Sequence, residues 1–230
     1  MKNTNEKIIT FDIWDTILKR KCNPEEIKLF TCQYIFLNYK NNLKPEYSNI
    51  YDIYKARNLI ENKICQTNKD KGFDYECLIN EVFLSLKETI FNKPIKGIEN
   101  ELLKTEINQE IRMTYVNPEF LEIINSYKSE KKFCISDFYM SSSDLKKILK
   151  YHDVLKFFDK VYSSADFLLT KRTGNLFNTF LKKEKVNPKN VIHIGDNIIS
   201  DGKVPNSLGI KTKHIINNDH SKLYMLPKNK

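Results

Sequence analysis

Asp12 ends an apolar, β-branched run, Lys7-Ile8-Ile9-Thr10-Phe11, and Trp14, Asp15 and Thr16 follow it closely. Far along the chain Asp196 follows a second such run, Val191–Gly195, and Asp201 comes five residues later. Ser136 ends a third run, Lys132–Ser136, and two adjacent cations, Lys171 and Arg172, precede Gly174. Alone, each is commonplace, since an aspartate or serine after a strand often caps a turn or a helix. Together they offer a nucleophilic carboxylate, further carboxylates, a hydroxyl and a cation. A carboxylate can attack phosphorus if its own charge and that of the phosphate are neutralised together. Mg2+ does this well, being a hard ion that takes one or two carboxylates plus phosphate oxygens and waters. On that chemistry Asp12 and Asp196 supply the carboxylates. Ser136 and one of the two cations bind the remaining phosphate oxygens, and Asp201 holds a metal-bound water or the cation.

The fold has to bring these separated groups together. Strand-like runs at Lys132–Ser136, Lys160–Ser163, Val191–Gly195 and near Lys211–Ile216 alternate with helical patterns at about 143–150 and 174–184. That alternation implies an α/β core, a Rossmann-like parallel sheet with crossover helices. Ligands gather at the carboxyl ends of such strands, where Asp12, Ser136 and Asp196 stand. The stretch 19–128 has a different pattern. Asn23-Pro24-Glu25-Glu26 and Asn117-Pro118-Glu119 are helix starts, with a cap residue, Pro at the first position and acids behind it. Apolar residues recur at helical spacing in Ile27, Phe30, Tyr34 and Leu37, and in Ile98, Leu102, Ile107 and Ile111. Four or five helices fit, with loops near 41–44, 68–72 and 92–96. The expected organisation is a core of 1–18 and 129–230 with a helical insertion, 19–128, between the first and second chemical sites. Arg20 leads into the insertion and Arg57 lies on one of its helices; either could grip a second anionic or polyol group of a substrate. For Arg57 an ion pair with Glu61, one turn on, is the preferred reading.

Composition narrows the class. The chain has 230 residues, 40% hydrophobic and 29% charged, with six Gly and seven Pro, which excludes a disordered or low-complexity protein. Mean hydropathy is −0.51, and no apolar run approaches the roughly 18 residues that span a bilayer. Five cysteines without a CxxC pair, and no secretion signal, read as free thiols in a reducing cytoplasm. The net charge of +9 comes from lysines scattered along the chain, with Arg only at 20, 57, 112 and 172. Dispersed charge of that kind reads as a solvated coat rather than a nucleic-acid site. The four histidines show no zinc-like spacing, and His193 alternates with apolar residues on a core strand, as a packed residue does.

Four motifs, in order, resemble the haloacid dehalogenase (HAD) superfamily, most of whose members are phosphatases with an aspartate nucleophile. They are Phe11-Asp12-Ile13-Trp14-Asp15-Thr16-Ile17-Leu18, then Phe133-Cys134-Ile135-Ser136-Asp137. Lys171-Arg172-Thr173-Gly174-Asn175-Leu176-Phe177 is the third, and Val191-Ile192-His193-Ile194-Gly195-Asp196 running on to Asp201 is the fourth. The resemblance covers about 1–18 and 130–216, and the helical stretch corresponds to the family's variable cap. It implies Asp12 as nucleophile, and Mg2+ held by Asp12, Asp196 and the Trp14 backbone carbonyl, with Asp201 in the outer shell. It also favours Lys171 over Arg172 beside Ser136 at the phosphate. The form of motif one resembles a subgroup found with glycosyltransferase and surface-polysaccharide genes. A lid over the site implies a small substrate.

One position departs from the family. Its phosphatases carry a second Asp, acting as acid and base, two residues after the nucleophile; here Trp14 stands there and the acid has moved to Asp15, which leaves Asp15, a cap residue, a metal-bound water or the substrate itself to supply the leaving-group proton. Haloacid dehalogenases are aromatic at that position too, but they work without metal and lack the GD pair. Asp196 and Asp201 would repel one another without a cation. The reading is therefore a Mg2+-dependent phosphomonoesterase acting on a small phosphorylated metabolite such as a sugar or polyol phosphate. Its alternatives are a degenerate domain that binds a phosphorylated ligand or protein without turnover, and a metal-independent dehalogenase.

Overall fold

The computed structural model describes residues 8–127 and 131–215. Lys7 and Ile216, at the edges of two expected strands, and His220 lie outside the described residues. In chain order the elements are β1 (Ile8–Phe11), β2 (Leu18–Arg20), α1 (Pro24–Tyr39), α2 (Ile50–Asp70), α3 (Ile79–Ile90) and α4 (Ile98–Arg112). Then follow β3 (Thr114–Val116), α5 (Pro118–Ser126), β4 (Lys131–Ser136), α6 (Ser142–Tyr151), β5 (Lys160–Ser163) and the single turn α7 (Ser164–Phe167). The last are α8 (Asn175–Glu184), β6 (Val191–Gly195), the short α9 (Val204–Ser207) and β7 (Lys211–His214).

Five strands form one parallel sheet in the order β5-β4-β1-β6-β7. All four residues of β1 are buried, as a strand covered by helices on both faces must be, which explains its mainly apolar reading. On one face Leu176, Phe177 and Phe180 of α8 pack on Phe133 and Tyr162, with the Phe133 and Phe180 rings edge to face at 5.2 Å. On the other, Phe11 meets Phe120 at 5.6 Å and Phe158 at 5.7 Å, beside Leu145, Ile148 and Leu149 of α6.

The helical stretch lies between β1 and β4, and its root is a two-stranded antiparallel ribbon in which Leu18 pairs with Val116 and Arg20 with Thr114. The chain leaves through β2, runs through α1–α4 and returns through β3. Asn23 caps α1 by accepting from Glu25 N at 2.9 Å, and Asn117 caps α5 by accepting from Glu119 N at 3.2 Å. The helix α5, placed by its sequence within the 19–128 stretch, packs on the sheet instead: Phe120 sits between Phe11 and the Phe157 and Phe158 rings. The reason is local, because β3 closes the ribbon before α5 begins. Among the described residues no helix is long and apolar enough to cross a membrane.

Candidate active site

The carboxyl ends of β1 and β6 lie side by side, and each continues into a tight turn that aims a carboxylate. Asp12 N donates to Ile194 O at 2.9 Å. Beyond it the chain curls back, with Ile17 N and Leu18 N both donating to Ile13 O at 2.9 Å. Asp15 takes a left-handed conformation, φ 59°, which Asp tolerates better than most residues, and its N–H donates to Leu18 O at 2.6 Å. Buried Thr16 donates to Asp196 Oδ1 at 3.4 Å, while Asn117 Nδ2 holds the Thr16 carbonyl at 3.0 Å.

After β6 the backbone makes a π-helical turn, Ile198–Lys203, capped by the Asn197 side chain, which accepts from Ile199 N and Ser200 N. Such wide turns are rare and concentrate at functional sites. This one swings Asp201 back beneath Gly195. A Cβ at Gly195 would lie 2.5 Å from Asp201 Cβ and Cγ. The glycine of motif four is therefore required by that close approach, and not by its backbone angles.

Lys171 reaches this cluster from the loop before α8. Its backbone N–H donates to Asp137 Oδ1 at 2.6 Å, and Asp137 Oδ2 accepts from Arg172 N at 3.3 Å. The buried ammonium lies 2.5 Å from Asp12 Oδ1 and 2.6 Å from Asp201 Oδ1. Asp201 Oδ1 also meets His193 Nε2 at 3.0 Å, and its Oδ2 accepts from Asn197 N at 3.0 Å. His193 Nδ1 in turn faces Thr10 Oγ1 at 2.8 Å.

The charges settle accordingly. Burial opposes ionisation of Lys171, but Asp12, Asp201 and Asp137 together hold its pKa well above the ordinary value. Burial also works against the Asp201 carboxylate, yet Lys171 and His193 keep its pKa below the usual range. Burial lowers His193, so the ring is neutral: Nε2 carries the proton and donates to Asp201, and Nδ1 accepts from Thr10. Asp12 is pushed up by burial and by Asp201 and Asp196, against the pull of Lys171. Asp196 is pushed up by burial, then by Asp201 and Asp15.

Asp12, Asp196 and Asp201 each offer a carboxylate oxygen, and these lie within 4.8 Å of one another. Hard oxygen donors at that spacing suit Mg2+. Ser136 Oγ, at the end of the neighbouring strand β4, is buried and has no hydrogen-bond partner among the described residues. An orphaned hydroxyl of that kind fits an oxygen ligand held between β1 and β4.

Six of the residues singled out from sequence line one cleft of about 290 Å3: Asp12, Trp14, Asp15, Lys171, Asp196 and Asp201. Asp137, Arg172, Asn197 and Ser200 complete its wall. Ser136, fully buried, is not among the residues that line it. Arg20 and Arg57 are corrections, since neither lines the cleft. Arg57 is wholly buried within the helical insertion, 2.6 Å from Glu106 and 3.3 Å from Glu61. The Glu61 pair forms as expected, but the shorter and more buried bond is to Glu106 on α4. Arg20 is buried against Glu110 at 3.4 Å, with its guanidinium carbon 3.8 Å from the Trp14 ring centroid. Both are spent on internal pairs. Sequence reasoning missed Asp137, His193 and Asn197 as the residues that hold Lys171 and Asp201 in place. Asp137 and Asn197 lie within the second and fourth motifs, directly after Ser136 and Asp196, and that adjacency was the available signal.

The family profile described as haloacid dehalogenase-like hydrolase matches residues 6–204. No curated protein matches the chain. Among solved structures, a 2-haloacid dehalogenase of Pseudomonas syringae pv. Tomato is similar, with a TM-score of 0.66 at 15% identity over 97% of this chain and 91% of that one. A HAD-family enzyme of Bacteroides thetaiotaomicron, in complex with magnesium and inorganic phosphate, has a TM-score of 0.55 at 15% identity, over 94% of this chain and 99% of that one. YfnB of Bacillus subtilis, described as a HAD-hydrolase bound to magnesium, has a TM-score of 0.55 at 16% identity, over 91% and 88%. At these identities the likeness concerns the fold.

Proposed function

The chain belongs to the haloacid dehalogenase-like hydrolases, and from that premise we propose that it is a Mg2+-dependent phosphomonoesterase acting through Asp12 on a small phosphorylated metabolite. One observation carries the reading. Three carboxylates crowd within 4.8 Å, and the buried cation they share, Lys171, touches Asp12 and Asp201. Burial and mutual repulsion push Asp12 and Asp196 toward the neutral acid. A divalent cation is the partner that lets both ionise.

Asp12, Asp196 and the Trp14 carbonyl would hold the metal, with Asp201 in its outer shell. When bound, Mg2+ neutralises the attacking carboxylate and the phosphate together. Asp12 attacks phosphorus, the ester bond to the alcohol breaks, and an acyl phosphate is left on Asp12. Water then attacks the same phosphorus, releasing phosphate and restoring the carboxylate. Lys171 and Ser136 hold phosphate oxygens, by point charge and by hydroxyl. Lys171 is kept ionised for this by Asp12, Asp201 and Asp137, and its position is fixed by Asp201, which His193 and Asn197 orient. Asp15, on the cleft wall one residue beyond Trp14, is the carboxyl that protonates the departing oxygen.

The cleft volume suits a small molecule. The form of motif one supports a sugar or polyol phosphate of the kind used as a glycan precursor. The five cysteines, all buried and unpaired, support a reducing cytoplasm. A second reading, metal-free dehalogenation with Asp12 attacking carbon, is favoured by the aromatic Trp14 at the acid position. Turnover of p-nitrophenyl phosphate, with Mg2+ and after EDTA, separates the two. The proposal expects Mg2+-dependent release of p-nitrophenol and no halide from a 2-haloacid. Halide release that survives chelation would overturn it. Phosphate binding without turnover of either substrate would leave a ligand-binding domain.

A further inference from the structure

The helical insertion also meets the core away from the β2–β3 ribbon itself. The loop 71–78 between α2 and α3 lies against the segment 168–175, whose centre is Lys171. Asp74 makes most of this contact. Its Oδ2 accepts from Thr170 N at 2.6 Å, from Thr173 Oγ1 at 2.5 Å and from Thr170 Oγ1 at 3.3 Å. Its Oδ1 accepts from Asn175 Nδ2 at 2.9 Å, and its own N–H donates to Leu168 O at 3.0 Å. Two residues on, Glu76 accepts from the Ser164 hydroxyl, whose oxygen accepts from Phe138 N at 2.8 Å.

The segment these bonds grip has little regular structure of its own. Leu168 and Gly174 are both left-handed, at φ 54° and 85°, and Gly174 N closes a turn on Lys171 O at 2.9 Å. Asp137 tethers Lys171 N from the core side; Asp74 holds the residue before it and those after it from the insertion side. A single side chain that accepts four hydrogen bonds, from Thr170 before Lys171 and from Thr173 and Asn175 after it, fixes the segment by geometry. Thr173 and Asn175 are exposed and Asp74 is half-buried, so water can replace those bonds at small net cost.

We propose that Asp74 is a positioning residue for Lys171, so that the ammonium reaches its place between Asp12 and Asp201 when the insertion is seated on the core. This rests on the phosphatase reading for what Lys171 does there, but the seating itself does not. The insertion would then do more than cover the cleft: its arrival would complete the phosphate site, tying turnover to closure.

The test uses the full chain in two arms. In the first, amide hydrogen exchange is compared between the wild type and Asp74→Ala. Faster exchange across 170–175, with β1 and β6 unchanged, is expected; unchanged exchange in that segment overturns the proposal whatever the protein catalyses. In the second, p-nitrophenyl phosphate turnover is measured with Mg2+. Asp74→Ala should lower kcat/KM by about ten- to a hundredfold. Asp74→Asn should retain most of it, since the Asn175 amide can flip to present its oxygen to the new N–H2. In a Lys171→Gln background, Asp74→Ala should have almost no further effect, because both changes then act on one group. Full, multiplying losses in that background would show that Asp74 supports only the fold and would overturn the proposal. A wild type inert toward phosphate esters defeats the phosphatase reading, and the exchange arm still decides the seating.

Discussion

Gly195→Ala should cost both stability and activity, although its backbone can accept a side chain. The new Cβ would lie 2.5 Å from Asp201 Cβ and Cγ and 2.6 Å from Oδ2. Carbon contacts are comfortable near 3.5–4.0 Å, so Asp201 must retreat by roughly 1 Å. It cannot do so freely, because Lys171, His193 and Asn197 N all hold its carboxylate at 2.6–3.0 Å. Overpacking of this kind costs about 1–3 kcal/mol, and a weakened hydrogen bond to a charged group about 1.5–3 kcal/mol more. For a total near 3 kcal/mol, the melting temperature of a chain this size should fall by roughly 6–12 °C. Lys171 moves with Asp201, so turnover should fall about a hundredfold, the usual cost of a misplacement near 1 Å. Gly202→Ala is the control. It lies next to Asp201 in the π-helical turn, yet its Cβ would meet nothing nearer than Asn197 O at 4.0 Å. Thermal unfolding and turnover are measured for both variants. A Gly195→Ala protein that melts with the wild type and keeps its turnover, or a Gly202→Ala protein equally damaged, would refute the reasoning.

Other consequences follow from the same geometry. Glu106→Ala should destabilise the protein by about 3–5 kcal/mol in urea unfolding, because it leaves the wholly buried Arg57 charge with only its longer, part-exposed partner Glu61; Arg57→Met with Glu106→Leu should recover most of that. Burial raises Glu76 from an ordinary 4.5 to about 7, so between those values the folded chain keeps a proton that the unfolded chain has lost. Stability then falls as pH rises from 4.5 to 7. Glu76→Gln should remove that slope, matching the wild type at pH 4.5 and exceeding it by up to about 3 kcal/mol at pH 8, as read from unfolding at the two pH values. Asp15→Asn keeps a side chain that tolerates the left-handed backbone while removing the acid. It should slow alkyl phosphates by about 10²–10⁴-fold, hurt aryl phosphates much less and leave the melting temperature in place; an unchanged alkyl-to-aryl ratio assigns Asp15 to the turn alone.

The parallel core was legible because its strands are buried on both faces. Ile8–Phe11 and Val191–Gly195 read as mainly apolar runs, interrupted only by Thr10 and His193, and the residues after them fall at the sheet edge where the cleft opens. α6 and α8 start and stop within one residue of their sequence patterns. The charged residues of the insertion were harder. On a single helix, Arg57 with Glu61 four residues on looks like any solvated pair. Its stronger partner, Glu106, is 49 residues away, and the partner of Arg20 is 90 away. No local pattern encodes such a match. α5 carries the same Asn-Pro-Glu start as α1, and periodicity does not say which body a helix packs on. Asp74 lies in a loop, and its bonds reach residues 96–101 positions distant, so nothing in its neighbourhood marked it. His193 read as a packed strand residue, and it is buried as expected; its role in orienting Asp201 needed the register that sets Thr10 opposite it.

The central claim is that Asp12 takes the phosphoryl group. Acid quench during steady turnover of a phosphate ester with Mg2+, followed by peptide mass spectrometry, tests it directly. The account predicts the added mass of one phosphoryl group on the peptide containing Asp12. That adduct should be absent after EDTA and absent in Asp12→Asn, which should fold normally yet turn nothing over. Mg2+-dependent turnover that leaves Asp12 unmodified at every quench time, or that persists in Asp12→Asn, would contradict it.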